Sequence, residues 1–417
     1  MGSRIEPNVS SEIGELEAVI IHPPGPEVEN MTPGNAERAL YSDILNLSVA
    51  QREYSELEQV LQKYTHVFRV KELLEETLAI DKARESLIDK ILEAGEDTEL
   101  REYLDRAATR DLAGLLIEGV VLQKNTLSRF LSKERYSLPP LHNFFFARDA
   151  AITMPGSVFI SRMANSIRER ETLIMDTVFN FNEHFRTRTI KMSGKPASTI
   201  EGGDVLIARE DILLVGLGAR TSSQGIDCLI DIIRSQKNGK KYVIVQELPV
   251  RPESFIHLDM VFTLLDRDCC MVYEPVIFRT SNYQTVVITI ENNMVSSIKE
   301  ERNIPEALCR LGMDLKPVYC GGRTDDWIQE REQWHSGANF FALAPGKIIG
   351  YARNNYTNDE LSKNGYEIVT ASDIISGKAC IHNYKKVLVT LDGSELPRGG
   401  GGARCMTMPV KRKPVSW

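Results

Sequence analysis

The chain has 417 residues and a formal net charge of −8, with 42% apolar and 26% charged residues. That balance describes a globular protein with a substantial core and gives no general attraction to nucleic acid or anionic membrane. No run approaches the roughly 20 apolar residues of a membrane helix, and the N-terminus lacks the basic-then-apolar pattern of a secretory signal.

In chain order, Glu17–His22 is a short apolar run closed by Pro23-Pro24-Gly25, which reads as a buried strand and a turn. From about Ala36 to Tyr64, apolar residues such as Leu47, Tyr54, Leu57 and Leu61 recur at helical spacing. Val67–Val70 reads as a strand. Lys71–Ser137 is rich in Leu, Glu, Ala, Lys and Arg, and predicts a small helical bundle inserted into an α/β frame.

From Asn143 onward short strands alternate with short helices. Asp204–Gly216 suits a hairpin, and Tyr242–Val245, Met271–Val276, Thr285–Thr289, Phe340–Leu343, Lys347–Tyr351 and Lys386–Thr390 read as strands. Helices are expected near Arg168–Asn180, Ile226–Ser235, Ile304–Leu311 and Asp359–Asn364. The rhythm suits repeated strand–strand–helix–strand units but does not by itself prove a closed ring. The basic tail Lys411, Arg412, Lys413 reads as a solvated end.

Seven scattered cysteines (Cys228, Cys269, Cys270, Cys309, Cys320, Cys380, Cys405), with no C-x-x-C pair, fit reduced thiols of a cytoplasmic protein. No His/Cys group has zinc-ligand spacing. Four stretches carry candidate chemistry. Cys405 follows the run Gly399–Gly402, which lets backbone approach a bound molecule, so its thiol is either a nucleophile or a buried Cys opening a final strand Cys405–Pro409. His257 and Asp259 share a face if their segment is extended, as an acid–base pair or as a surface His and a solvated Asp. Glu201-Gly202-Gly203-Asp204 puts acids around a turn. Asp149 follows Phe144-Phe145-Phe146-Ala147-Arg148, as a held charge or a structural Arg148–Asp149 arrangement. Taken together, a thiol, an imidazole and several acids suit attack on the carbon of a cationic guanidinium. Paired carboxylates would hold the planar cation.

These stretches resemble the arginine deiminases, of the guanidino-group-modifying superfamily. The resemblance rests on Ser11–Leu16, Arg168–Thr172, Glu201–Val205, His257-Leu258-Asp259, Ala344-Pro345-Gly346, Arg353-Asn354 and Gly400–Met406. It implies a five-bladed α/β propeller of strand–strand–helix–strand units, with residues 1–70 and 139–417 forming the propeller and 71–138 an inserted helical bundle. It also implies hydrolysis of free L-arginine to L-citrulline and ammonia through a thiouronium on Cys405; another guanidino-modifying enzyme, such as an amidinotransferase, is the alternative. By resemblance His257 is the general acid and base, Asp149 and Asp259 grip the guanidinium, and Glu201 orients His257. Arg168 and Arg220 bind the substrate carboxylate, Asn143 touches its α-carbon end, Gly399 offers a carbonyl, and Leu40 lines the mouth of the pocket. No metal or cofactor is implied, and a homodimer or homotetramer is expected. Two departures stand out: Ala147 replaces the usual Thr beside Asp149, and Gly400 stands where some relatives carry an Arg, a role Arg398 or Arg404 would have to fill.

Overall fold

The computed structural model describes residues 4–32, 43–93, 98–185, 187–192, 197–236, 239–279 and 283–417. The apolar run Leu16–Ile21 is a buried strand, parallel to His66–Arg69 and antiparallel to Met408–Arg412. The beginning and end of the described chain are therefore stitched into one sheet.

Four further sheets follow in chain order. The first contains Ala151–Met154, Ser157–Ile160 and Thr189–Lys191. The next has five strands, Val205–Arg209, Ile212–Leu217, Lys241–Glu247, Thr285–Glu291 and Met294–Glu301. The third is built from Phe262–Asp266, Cys269–Val272 and Lys316–Tyr319, and the last from Phe341–Ala344, Lys347–Tyr351, Val387–Leu391 and Glu367–Thr370. Each opens with a tight antiparallel hairpin and then gains a parallel strand. A parallel partner needs a crossover, and helices supply it. Ser223–Ser235 links Ile212–Leu217 to Lys241–Glu247; Ser222 caps it through the amide of Gly225, and Ile226, Leu229, Ile230 and Ile233 are its buried stripe.

Between the strand His66–Arg69 and Asn143 lie the helices Val70–Leu78, Asp81–Leu92, Thr98–Arg106, Thr109–Glu118 and Leu127–Leu131, with a small ribbon of Val120–Val121 and Tyr136–Leu138. Their apolar faces do not form a separate core. Leu74, Leu104 and Leu116 pack in one cluster with Ala18, Ile20, Phe144, Val158, Met175 and Val410.

Several elements differ from the sequence reading. The helix expected from Ala36 begins at Leu47, where Asn46 caps the amide of Val49; part of the expected stretch lies outside the described residues. The run Met271–Val276 splits, because Pro275 enters the first turn of a helix at Glu274–Ile277. The strand Met294–Glu301 was hidden by its exposed, polar side chains; it is reached through Asn292 and Asn293, whose φ of 51° and 61° make a tight hairpin turn. The tail is not wholly solvated: Arg412 is buried, donates to the carbonyl of Gly14 at 2.6 Å and lies over the ring of Phe341. No disulfide joins the seven cysteines, and none of the described helices is long and apolar enough to cross a membrane.

Because helices and sheets share one core, Leu116→Ala should cost about 2–5 kcal/mol of global stability. Denaturant unfolding followed by both helical and tryptophan signals should shift as a single transition; separate melting of the helical segment would contradict a shared core.

Candidate active site

The side chains of interest occupy equivalent places in the fold. Asp149 precedes the strand Ala151–Met154, Glu201 precedes Val205–Arg209, Asp259 precedes Phe262–Asp266, and Cys405 precedes Met408–Arg412. Each lead-in segment is irregular, a place where backbone groups are free to bond sideways. Cys405 therefore lies in a turn rather than opening a strand, and the residues after His257 form one 3₁₀ turn, Leu258–Met260, rather than an extended segment.

Backbone hydrogen bonds tie these lead-ins together. Arg148 N–H donates to the carbonyl of Cys405 at 3.1 Å, and Gly202 N–H to that of Asp149 at 3.1 Å. Leu258 N–H donates to Asp204 at 2.9 Å. The glycines are needed for this closeness: a Cβ on Gly202 would overlap the carbonyl of Arg148, and one on Gly203 the ring of His257. The glycine run before Cys405 is held by Tyr351, whose hydroxyl donates to the Gly401 carbonyl at 3.1 Å. Glu53 accepts from the amides of Ser394 and Leu396, just before that run.

Asp149, Glu201 and His257 offer ligand-type atoms all within 4.8 Å of one another, the one such group among the described residues. His257 Nε2 lies 3.0 Å from Glu201 Oε2, and Nδ1 lies 3.7 Å from Asp149 Oδ1. Burial disfavours the imidazolium, but the charge of Asp149, the Glu201 hydrogen bond and nearby Asp204 outweigh it and push His257 up to about 9. Burial likewise opposes the Glu201 carboxylate, yet the bond and charge of His257, with Arg220 and Arg168, bring it down to about 2. The pair is thus an imidazolium–carboxylate at neutral pH.

That guanidinium belongs to Arg168, which is buried at 3% exposure. Its Nη1 donates to Asp149 Oδ2 at 2.7 Å, and its Nε and Nη2 form a fork onto Glu171 at 3.0 and 2.8 Å. Nη2 also reaches the carbonyls of Asn143 and Phe146. Arg220 sits half-buried in a bend after Ile212–Leu217, near enough for its charge to act on Glu201. Gly399 is buried at the end of the 3₁₀ turn Leu396–Gly399; Leu40 lies outside the described residues.

Cys405 Sγ lies 3.6 and 3.9 Å from the two oxygens of Asp259. Burial, then the charges of Asp259 and Asp149, hold its thiol well above the usual range, against a backbone hydrogen bond from Gly402 and the charge of Arg404. Asp259 is itself engaged, accepting from Arg404 Nη1 at 2.8 Å. Arg404 is fully buried, and its other face forks onto Glu12 at 3.0 and 3.1 Å. Arg404 is thus a structural counter-charge, while Arg398 pairs at the surface with Asp43 and Glu395. Two carboxylate oxygens of the cluster, Asp149 Oδ1 and Asp204 Oδ2, are buried without a hydrogen-bond partner among the described residues; of these, Asp149 Oδ1 faces the His257 ring at 3.7 Å.

The sequence reading missed Asn339. It precedes the first strand of the last sheet, the place that Asp149, Glu201 and Asp259 hold in theirs. Its carboxamide touches both the sulfur and the amide of Cys405. The signal was the short lead-in Gly337-Ala338-Asn339 before an apolar run, visible only once the strands are set in equivalent positions.

A sequence profile of the arginine deiminases matches residues 37–412. The chain belongs to the arginine deiminase family. The arginine deiminase of Bacillus cereus (strain ATCC 10987) is 31% identical over 98% of this chain and 99% of its own length. That of Streptococcus equi subsp. zooepidemicus is 30% identical over 98% of each. The protein is accordingly an enzyme acting on the guanidino group of arginine. Two solved structures share its mixed α/β fold. Dimethylarginine dimethylaminohydrolase from Pseudomonas aeruginosa, solved with citrulline, has a TM-score of 0.51 at 14% identity over 94% of this chain and 99% of its own. The N-terminal domain of ArgZ, a cyanobacterial arginine dihydrolase solved with its substrate, has a TM-score of 0.54 at 14% identity over 95% and 98%.

Gly203→Ala should leave the fold in place but displace the His257 ring, lowering kcat for arginine on the order of 100-fold. Steady-state citrulline assays with a circular-dichroism control check this; an unimpaired kcat would show that the ring position is not critical.

Proposed function

We propose that Cys405 is the nucleophile and His257 the acid–base group of an arginine deiminase reaction, with Asp149 as the principal holder of the substrate guanidinium. The observation that carries this reading is the unpartnered, buried Oδ1 of Asp149, facing His257 at 3.7 Å. Leaving a buried carboxylate oxygen unbonded costs about 1–3 kcal/mol or more, which an arriving planar cation would recover.

The charges of His257 and Glu201 suit the first half of the reaction. An arginine guanidinium entering beside Cys405 would favour its thiolate, which burial and two carboxylates otherwise suppress. The thiolate adds to the guanidinium carbon and gives a neutral tetrahedral adduct. His257 gives its proton to one nitrogen, which leaves as ammonia with the former C–N electron pair; a cationic thiouronium remains on sulfur. Neutral His257 then takes a proton from water as the oxygen adds to the same carbon. The C–S pair returns to sulfur, and citrulline leaves after losing its extra proton. The ArgZ N-terminal domain, solved covalently bonded to a reaction intermediate, supports a covalent route in the superfamily.

Substrate placement follows from the charges. Arg220, half-buried and electrostatically coupled to Glu201, suits the substrate carboxylate. Arg168 is held by Asp149 and Glu171. We propose that the incoming guanidinium displaces it from Asp149 and that its freed Nη1 then turns to the carboxylate. Asn143 and the Gly399 carbonyl serve the α-carbon end, and Leu40 the mouth. Asp259, bound to Arg404, is proposed to hold the cation with one oxygen only. The five sheets are proposed to stand as blades of a ring, formed by 1–70 and 139–417, with 71–138 as the insert. A cytoplasmic homodimer or homotetramer is the proposed setting.

Cys405→Ser should form no measurable citrulline while still binding arginine in calorimetry. Turnover at the wild-type rate in that variant would end the reading, and production of ammonia without any amine acceptor separates it from an amidinotransferase. The pH profile gives a second test. His257 is raised to about 9, so its required proton is held through neutral pH and lost as pH rises through that value. The ion pair's contribution to stability is likewise complete only between the ordinary pKa values of its two members, about 4.5 and 6.5; it fades toward pH 9 as His257 loses its proton and toward pH 2 as Glu201 gains one. kcat/KM should fall on the alkaline side near pH 9, and Glu201→Gln should move that fall to lower pH; an unmoved limb would remove His257 from the assignment.

A further inference from the structure

Asn339 is buried to 1% exposure and lies between the two arms of the site. Its Oδ1 accepts from two consecutive amides, Arg404 N–H at 2.9 Å and Cys405 N–H at 3.3 Å. Two donors converging on one end of a carboxamide fix that end as oxygen, so the other end must be the NH₂ group. That Nδ2 donates to the carbonyl of Asp259 at 3.2 Å and lies 3.2 Å from Cys405 Sγ. Gly402 leaves room for it, since a Cβ there would press on Asn339 Oδ1 and Cβ.

A neutral N–H donor aimed at sulfur favours the thiolate over the thiol, because the bond is stronger to the anion. Elsewhere around the sulfur stand the Asp259 oxygens at 3.6 and 3.9 Å, which repel negative charge. The Asn339 carboxamide is thus a neutral donor to an atom whose other close neighbour is a carboxylate.

We propose that Asn339 is a further catalytic residue: its carboxamide donates to the Cys405 thiolate and aims the sulfur, while its other end holds the turn that carries it. The proposal rests on the reading of Cys405 as the nucleophile. The same donor would receive the sulfur again when the C–S bond breaks, so it serves both halves of the reaction. Asn339 also occupies, in the last sheet, the lead-in position that Asp149, Glu201 and Asp259 hold in theirs.

Asn339→Asp separates the two jobs, because the carboxylate can still accept from both amides but no longer donates to sulfur. The expected result is a folded protein with kcat lowered on the order of 10²–10³-fold, as for loss of one anion-hole donor. Alkylation of Cys405 by iodoacetamide, taken as the difference from Cys405→Ser, should be about tenfold slower near neutral pH, and the pH of half-maximal alkylation should move upward. A purely structural role would lower the melting temperature and leave the alkylation profile where the wild type has it, which overturns the proposal; so would unchanged kcat. If Asn339→Asp does not fold, Asn339→Ala is read on the same alkylation profile. Failure of the underlying reading is distinct: alkylation of Cys405 would then leave the wild-type enzyme active.

Discussion

The structure depends on how a water-poor centre accommodates ionised groups. Glu12, Asp149, Glu171, Glu201 and Asp259 are all buried there, and so are Arg148, Arg168, His257 and Arg404. An isolated ion in such a place would cost many kcal/mol and would neutralise or draw in water, so the ion pairs there depend on their partners; burial pushes Glu171 up to about 7 and brings Arg148, which has no ion pair among the described residues, down to about 9. Those partners come from remote parts of the chain. Arg404 ties Glu12 at the beginning to Asp259 in the middle, and Arg168 ties Asp149 to Glu171. Closing the first sheet with Met408–Arg412 delivers Arg404 and Cys405 to this centre. Pairing the ions and assembling the proposed catalytic residues are therefore one event.

This arrangement divides the carboxylates by task. Asp259 is saturated by Arg404 on one side and lies against sulfur on the other, so it is fixed in place and disfavours the thiolate until a cation arrives. Asp149 has one oxygen engaged and one bare. Glu201 gives one oxygen to the amide of Ala164 and the other to His257, which fixes the ring and keeps it charged. In the proposed role an imidazole held as an imidazolium is an acid waiting for a leaving group, and becomes a base only after giving up its proton. The resting charges suit the proposed order of the two half-reactions.

Much of this was legible in the sequence, for physical reasons. Val205–Arg209 and Ile212–Leu217 announced themselves because buried strands are apolar and their turn, Glu210-Asp211, is not. The four reactive stretches stood out because glycines and aromatics crowd around them, and the overlap of Gly202 and Gly203 with their neighbours explains those glycines. What was illegible was partnership. Arg168 was named only by resemblance, as a ligand of the substrate carboxylate, and nothing in the sequence announced that it is buried on Asp149 and Glu171. Arg412 read as a solvated tail and is buried over Phe341. Asn339 carried only the faint mark of a lead-in before an apolar run, which looks like any other until the strands are set in equivalent positions. Met294–Glu301 was lost for the opposite reason: an outer strand with exposed side chains has no apolar pattern to read.

The Arg168 arrangement also bears on how substrate enters. Cys405, His257 and Asp149 are each buried, so a substrate guanidinium that reaches the sulfur enters a water-poor place already occupied by the Arg168 cation. An acidic centre would be unstable if simply left without a cation, and Arg168 supplies one of the same chemistry as the substrate. The proposed exchange of one guanidinium for another at Asp149 would keep that carboxylate paired throughout, so neither state would strand a buried charge. On that proposal a neutral ureido group, as in citrulline, would compete poorly with the Arg168 cation for Asp149, and product would lose to the internal arginine where substrate does not.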